Sequence, residues 1–405
     1  MGRAAAVLQN AKCRPHRAVG GDILYTVSDE LAALITSPCR TWRILLEDLT
    51  TARTLTAEAI FTANSDREST SLSDDIELGA VCSQSWTVNI ADSAGGYVGH
   101  MFRLSLYIAD IEGGKMTWGR LARYKFGRIK TLTPRQIRRL GEVLGEPIPM
   151  GMFVCTKAPK NGTGRELSLY DMLYFADREY KCGLQLPASA EAVEQDVCRQ
   201  LGIQCMGGAV SGDLQESGGA DLLAANGAQL VAASFDFEIS TIAAGTTCRQ
   251  MLGYIAAARG HFGYLDREGV YRTRWYTSAR EITPGEADEP TLSENPNVIV
   301  GVVCDIDDDT RLTVGETDES KGRILQLTCP YMTRSLLDSL FSRVKNYTWY
   351  TAQFRHRLGD PRLDVGDVVT YSGAAIPVTG LAFSYDGGLS ADITAAGLND
   401  EEQLI

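Results

Sequence analysis

Leu358–Tyr371 reads LGDPRLDVGDVVTY and is the most tightly specified stretch of the chain. Gly359 and Gly366 take positive φ at little steric cost. Pro361 fixes its own φ and pushes Asp360 toward an extended conformation. Gly359-Asp360-Pro361 therefore reads as one turn, and Gly366-Asp367 as a second that launches the apolar pair Val368-Val369. The stretch predicts a strand-turn-strand corner of a β-barrel or sandwich. Gly359, Asp360, Pro361, Gly366 and Asp367 are expected to be structural rather than chemical residues.

Outward from this corner the C-terminal part reads as β. Strands are expected at 298–304, 323–328, 347–355, 368–371, 376–385 and 390–395, with one helix at Thr333–Val344 among them and a Gly387-Gly388 hairpin turn. The N-terminal part has the same texture. Trp42, Ile44 and Leu46 alternate, as do Trp86, Val88 and Ile90, and Phe102, Leu104, Leu106 and Ile108. Asp92–Gly99 carries the turn residues of a hairpin loop between the last two of these strands. One or two more strands are expected over 116–129 and another over 150–156. TANSDRESTSLSDD at 62–75 reads as a polar loop, with Gly79 marking a sharp bend beyond it. Helices are expected over 134–144, where Pro134 suits a first turn, and over 170–180 after a strand at 166–169.

Between the two β parts the texture is mixed. Ser189–Leu201 reads as a helix with Ser189 as N-cap and Gly202 just beyond its end. A Gly-rich loop covers 207–227. Thr246–Arg259 is the strongest helix, with Thr246 able to cap it, Met251, Leu252, Ile255 and Ala258 on one face, and Gly260 ending it. A hairpin turns around Glu268-Gly269. The expected organisation is an N-terminal arm at 1–20, a first β-barrel at 21–160, a connecting strand and helix at 161–186, an α/β domain at 187–297 and a second β-barrel at 298–405. The fold class is α+β, mainly β, with antiparallel barrels flanking the α/β domain.

The totals fit such a chain. At 405 residues, 44% hydrophobic, it has the length of about two to four domains and the composition of a globular protein. A net charge of -12 argues against a protein built to grip nucleic acid, because phosphates would be repelled. It is compatible with a wall past which DNA slides. Basic residues cluster at 120–130 and 135–139, interleaved with Tyr124 and Phe126; a solvent-facing role or an acidic partner explains them more simply than nucleic acid. No stretch has the apolar length of a membrane span, and the N-terminus lacks the apolar core of a secretory signal. The 10 cysteines form no C-x-x-C pair and read as reduced, buried small hydrophobes.

Catalytic patterns are lacking in the sequence. The four histidines, His16, His100, His261 and His356, are isolated from one another. There is no G-x-S-x-G elbow, Walker loop or G-x-G-x-x-G fingerprint, and no cofactor is expected. Asp305, Asp307, Asp309 and Glu316 have the offsets of a calcium-binding EF-hand loop. Thr310 stands where that loop needs Gly, and the preceding segment is β, so a solvated acidic loop is the default reading.

Four stretches in order carry a resemblance. They are SLSDDIELGAVCSQSWTVNI (71–90); MGMFVCT (150–156) with ELSLYDMLYFADREY (166–180); TTCRQMLGYIAAARGHFGYLDREGVYRTRWY (246–276); and GDPRLDVGDVV (359–369) with LAFSYDGGLSADITAAG (381–397). Together they resemble the baseplate hub, or tail-tip, proteins of tailed phages and related contractile particles, over about 33–397. The resemblance implies a homotrimer in which each subunit gives two tail-tube-like barrels. Three subunits would form a pseudo-sixfold ring joining a hexameric tail tube or distal tail protein to a trimeric spike or tip. DNA would pass through the lumen without specific binding, and the chain would reside in the virion tail after assembly in the host cytoplasm. Some relatives continue into a wall-cleaving region, which a chain ending at Ile405 is expected to lack, so no catalysis is expected. The alternatives are a tail-tip cell-wall hydrolase and a host glycan-binding module. The latter needs an aromatic platform, and Trp118, Trp275 and Trp349 are scattered.

Overall fold

The computed structural model describes residues 25–37, 40–56, 59–71, 75–92, 95–110, 142–205, 237–283 and 285–397. Helix α1 (Asp29–Thr36) leads into β1 (Thr41–Asp48), β2 (Arg53–Leu55), β3 (Ile60–Glu68), β4 (Ser85–Ile90), β5 (Met101–Asp110), β6 (Glu142–Lys157), β7 (Lys160–Asn161) and β8 (Gly164–Tyr170). The middle of the chain holds β9 (Ala188–Ser189), α2 (Ala190–Leu201), β10 (Gln204–Cys205), β11 (Glu238–Ile239), α3 (Cys248–Ala258), β12 (Phe262–Leu265), β13 (Val270–Arg274), β14 (Thr277–Glu281) and β15 (Thr291–Leu292). The last part holds β16 (Asn297–Asp305), β17 (Arg311–Gly315), β18 (Arg323–Thr328), α4 (Arg334–Val344), β19 (Thr348–Trp349), β20 (Ala352–His356), β21 (Asp367–Tyr371), β22 (Ala374–Pro377), β23 (Gly380–Tyr385) and β24 (Leu389–Ala395). The expected arm at 1–20, the strands over 116–129, the basic clusters, the loop at 207–227 and most of the 134–144 helix lie outside the described residues.

The fold is mainly β with few helices, and its largest piece is a twelve-stranded sheet in the order β15-β20-β24-β23-β3-β4-β8-β6-β5-β1-β2, with β7 beside β8. This corrects the expectation of two separate barrels: among the described residues no barrel closes. The reason is one pairing. β23, from near the C-terminus, lies antiparallel to β3, with Gly380 opposite Glu68 and Tyr385 opposite Ala63. Strands from both ends of the chain therefore share one hydrogen-bonded ladder, and the sheet ends on the short β15 and β2 instead of curling back on itself. One face is continuous core, with Trp42, Ile44, Leu46, Trp86, Val88, Phe102, Leu104, Phe153, Leu169, Phe383 and Ile393 buried in a single cluster.

Several local expectations are corrected as well. The polar run at 62–75 is not all loop, because Ile60–Glu68 is the central strand β3. Its alternation is real but polar: Ala63, Ser65 and Arg67 point to the core while Asn64, Asp66 and Glu68 face out. Ser65 and Arg67 are tolerated inside because each finds a partner, Ser65 Oγ accepting the Phe383 N–H at 2.8 Å. β4 and β5 are not the two arms of the expected hairpin, since β8 and β6 lie between them. Glu142–Leu144, placed in a helix from the sequence, begins β6. The helix expected over 170–180 is a single 3-10 turn, Met172–Phe175. Asp171 caps that turn, and the next carbonyls are drawn off by helix α3: Ala176 O accepts from Arg249 N at 2.8 Å and Arg178 O from Cys248 N at 2.9 Å. Those carbonyls are then lost to any i→i+4 ladder.

The middle part packs α2 against α3 around a second core of Val193, Val197, Met251, Leu252 and Ile255. Helix α2 starts at Ser189, whose side chain accepts from Ala192 N, and ends at Gly202 with φ 73°. Helix α3 is capped by Thr247 instead of Thr246, because Gln250 completes a capping box with it. Glu194 and Arg259, both buried, join the two helices in an ion pair in which Arg259 Nη1 reaches both carboxylate oxygens, at 2.8 and 2.9 Å. β12 and β13 form the expected hairpin, with β10 parallel to β13. This unit meets the large sheet where two glycines touch backbone to backbone: a Cβ on Gly79 would lie 2.7 Å from Gly253 O, and one on Gly253 2.8 Å from Gly79 O. The bend expected at Gly79 thus also serves a close approach. Beyond the hairpin, β14 runs parallel to β21, and β16 parallel to β18.

Candidate functional site: a polar sheet face above a charged seam

The pleat gives the large sheet a second face, and its composition differs sharply from the core side. Outward positions on β24, β23, β3, β4 and β8 align across the ladder. Ser390 lies opposite Ser384, Ser384 opposite Asn64, Asn64 opposite Thr87, and Thr87 opposite Ser168. This row of hydroxyls and one amide crosses five strands from both ends of the chain. Asp66 pairs with Ser85 on one side of it, and Thr62, Asn89 and Glu166 line up on the other. All of these side chains are exposed or half-buried. The outward positions of these five strands carry Asp66, Glu68, Glu166 and Asp392 but no lysine or arginine. Burial raises the pKa of Glu68, and neighbouring Asp66 raises it further. Basic side chains flank the row at both ends: exposed Lys157 on β6 lies opposite Ser168, and Arg355 on β20 turns toward Asp392 at 3.9 Å and Ser390 Oγ at 2.7 Å.

Beneath the core side lies a seam of charges, and the opening corner sits in it. Asp360, Asp364 and Asp367 come from the corner, Arg67 from β3, and Arg267 and Arg274 from the β12–β13 hairpin. Arg67 pairs with Asp364 at 2.8 Å and donates to Leu265 O at 2.6 Å. Arg274 pairs with Asp367 at 2.5 Å, and the second oxygen of Asp367 accepts the Asp364 N–H at 2.7 Å. Arg267 donates to Pro149 O and to Leu363 O, both at 3.2 Å, while the Tyr25 ring lies 4.6 Å from its guanidinium. Asp360, 1% exposed, takes Arg280 and Arg362, each at 2.8 Å. Three parts of the chain that are far apart in sequence are thus clamped together by bonds to charged groups.

Electrostatics follow from burial and pairing. Burial pushes the Asp367 carboxyl up to about 6, with Arg274 pulling the other way. For Arg274, burial opposes the charge, but Asp367 outweighs it and the guanidinium is held more firmly protonated than usual. At neutral pH the pair is ionised. Asp360 goes the other way: burial would raise it, yet the Arg362 hydrogen bond and the charges of Arg362 and Arg280 hold it below the usual carboxylate range. His356, whose ring nitrogens have no protein partner, is lowered to about 4, chiefly by burial and then by Arg280.

The five turn residues singled out from the sequence are all found at this seam or its rim. Gly359 has φ 52° and Gly366 φ 87°, and Asp360 and Asp367 anchor arginines. Arg67, Arg267 and Arg274 were missed. Arginines in a polar run and on an exposed-looking hairpin carry no local mark of burial; only the three-dimensional partners supply it. The calcium-offset carboxylates do separate jobs. Asp305 pairs with Arg311 at 2.5 Å, Asp307 accepts the N–H groups of Asp309 and Thr310 at 3.0 and 2.7 Å, and Glu316 pairs with Lys321 at 2.8 Å. They belong to a tight β16–β17 hairpin in which Asp305 faces Arg311. Among the described residues no group of three or more His, Cys, Asp or Glu is placed to hold a metal ion. His261, 9% exposed, bonds Thr273 Oγ1 at 3.2 Å. His100 bonds Asp48 at 2.8 Å, and Asp48 spends its remaining capacity on Thr50 and Thr51.

No family model and no curated protein matches the chain. Over most of its length the chain is structurally similar to phage tail proteins. The tail protein from Neisseria meningitidis MC58 is 10% identical, with a TM-score of 0.49, and the match covers 87% of this chain and 96% of that one. The 43 kDa tail protein of prophage MuSo2 from Shewanella oneidensis is also 10% identical, with a TM-score of 0.49 and coverage of 88% and 98%. A chain of the p2 virion baseplate in its activated conformation is 9% identical, with a TM-score of 0.27 and coverage of 88% and 99%.

Proposed function

We propose that the chain is a structural, non-enzymatic component of a phage tail or phage-tail-like particle, acting as the baseplate hub or tail tip. In this reading three copies form a pseudo-sixfold ring that adapts a hexameric tail tube to a trimeric spike or tip. The parts of the chain at 21–160 and 298–405 give the wall, and the part at 187–297 braces it. The observation that carries the reading is the single sheet shared by both ends of the chain, polar and free of basic residues on its outward central strands. A channel wall needs continuity, and a polyanion slides best past hydroxyls and carboxylates that offer no counter-charge. The four sequence stretches in hub order support the same assignment. The turn at Gly359, Asp360, Pro361, Gly366 and Asp367 then serves to set the second β part against the first.

Sedimentation equilibrium across a wide concentration range tests the oligomer. A mass rising to that of three chains is the expected outcome, and a mass of one chain at every concentration contradicts the ring. Zymography on peptidoglycan tests the non-enzymatic half, since clearing by the isolated chain would make it a hydrolase.

A further inference from the structure

We infer that the seam holds one buried water molecule as a structural ligand. A cavity of about 10 Å³ lies where β3, Gln84 just before β4, β6, the β12–β13 turn, the corner and β23 meet. That is about the room one water needs, provided it also finds two to four polar partners. The polar lining comes from Ser65, Arg67, Gln84, Arg267 and Asp364, with Leu381 among the apolar walls. Ser65 Oγ accepts the Phe383 N–H, so its own proton remains to be given. Asp364 takes Arg67 and the Val365 N–H, and a carboxylate has further lone pairs to offer. Gln84, also in the lining, commits its backbone N–H to Asp171 at 2.9 Å, and its side-chain amide is donor and acceptor in one.

The lining argues for water over an ion. Arg67 and Arg267 repel a cation, and Asp364 repels an anion, which at this volume would also be oversized. Water alone can accept from one wall and donate to another. Its neighbours come from β3 and from Gln84, just before β4, in the first β part, from the hairpin, and from the corner and β23 of the second. The molecule therefore bridges the same segments that the Arg67–Asp364 pair clamps, and completes hydrogen bonding where side chains alone leave a gap.

A crystal structure of the full chain that shows ordered solvent tests this. The expected result is one rounded peak within hydrogen-bonding distance of Ser65 Oγ and of the Gln84 side chain, with no anomalous signal there after a bromide soak. No peak, or a bromide signal, would overturn the proposal. In solution, a water-to-amide Overhauser effect at Phe383 is expected from a long-lived water, and its absence counts equally against the idea. A Gln84→Met chain should lose that signal; if the signal persists, Gln84 is not a partner and the assignment of the site fails.

Discussion

At Gly366 the chain has φ 87°, and a Cβ there would lie 2.4 Å from Arg274 Nε and 2.6 Å from Phe262 Cζ. Two costs meet at this position, backbone strain and a clash with buried groups that cannot retreat. Gly373 separates them, since its φ is 88° but nothing lies within 4 Å. Gly373→Ala is expected to lower stability by about 1 kcal/mol, the conformational cost alone, and Gly366→Val by about 3 kcal/mol or more, measured by urea unfolding. His356 supplies a second residue-scale prediction. Its folded pKa, about 4, lies below its ordinary value of about 6.5. Its contribution to stability is therefore present above pH 6.5 and lost as pH falls toward 4, at up to about 1.4 kcal/mol per unit. Asp367 and Asp171, both raised to about 6 by burial, run the opposite way: their contribution is present below about pH 4 and lost as pH rises through 6. Comparing His356→Phe with wild type cancels them. The variant is expected to gain on wild type steadily between pH 6.5 and 4; parallel stability curves would show that the ring is not held neutral by the fold.

Among the elements, β3 is the most instructive. Its sequence, IFTANSDRE, alternates in burial without alternating in hydrophobicity, so a reading by apolar period passes over it. The strand exists because its neighbours satisfy its polar inner side, Ser65 through Phe383 and Arg67 through Asp364 and Leu265. Strands with apolar alternation, β1, β4 and β5, were legible from the chain alone, as were α2, α3, α4 and the β12–β13 hairpin with its turn. The strand pairing was not. Nothing local in Gly380–Tyr385 or Ile60–Glu68 announces that they lie side by side, and without that pairing two barrels were the natural expectation. The corner was legible as a turn because Gly and Pro mark the backbone directly, whereas its arginine partners carry no such mark. If Arg67 and Asp364 hold β3 in place, replacing one partner should cost more than replacing both. Arg67→Met alone is expected to lose about 3–5 kcal/mol by stranding a buried carboxylate, and adding Asp364→Leu should recover part of it. Strictly additive losses in a double-mutant cycle would mean the pair does not hold the strand.

In the proposed ring, one sheet drawn from both ends of the chain presents a wall that a polyanion does not grip. Placing lysines at Asn64, Thr87 and Ser384, adjacent across β3, β4 and β23, should turn that wall into a binding surface. DNA affinity is expected to rise over wild type and to fall with salt, with a log–log slope steeper by about 2–3, near 0.9 per phosphate neutralised. An unchanged affinity would mean the face is not open to DNA. The most direct measurement is an electron cryomicroscopy reconstruction of the assembled chain. The expected result is a threefold ring whose channel is walled by the Ser390–Ser384–Asn64–Thr87–Ser168 row. A ring whose channel is lined by another surface, or particles without a channel, would contradict it.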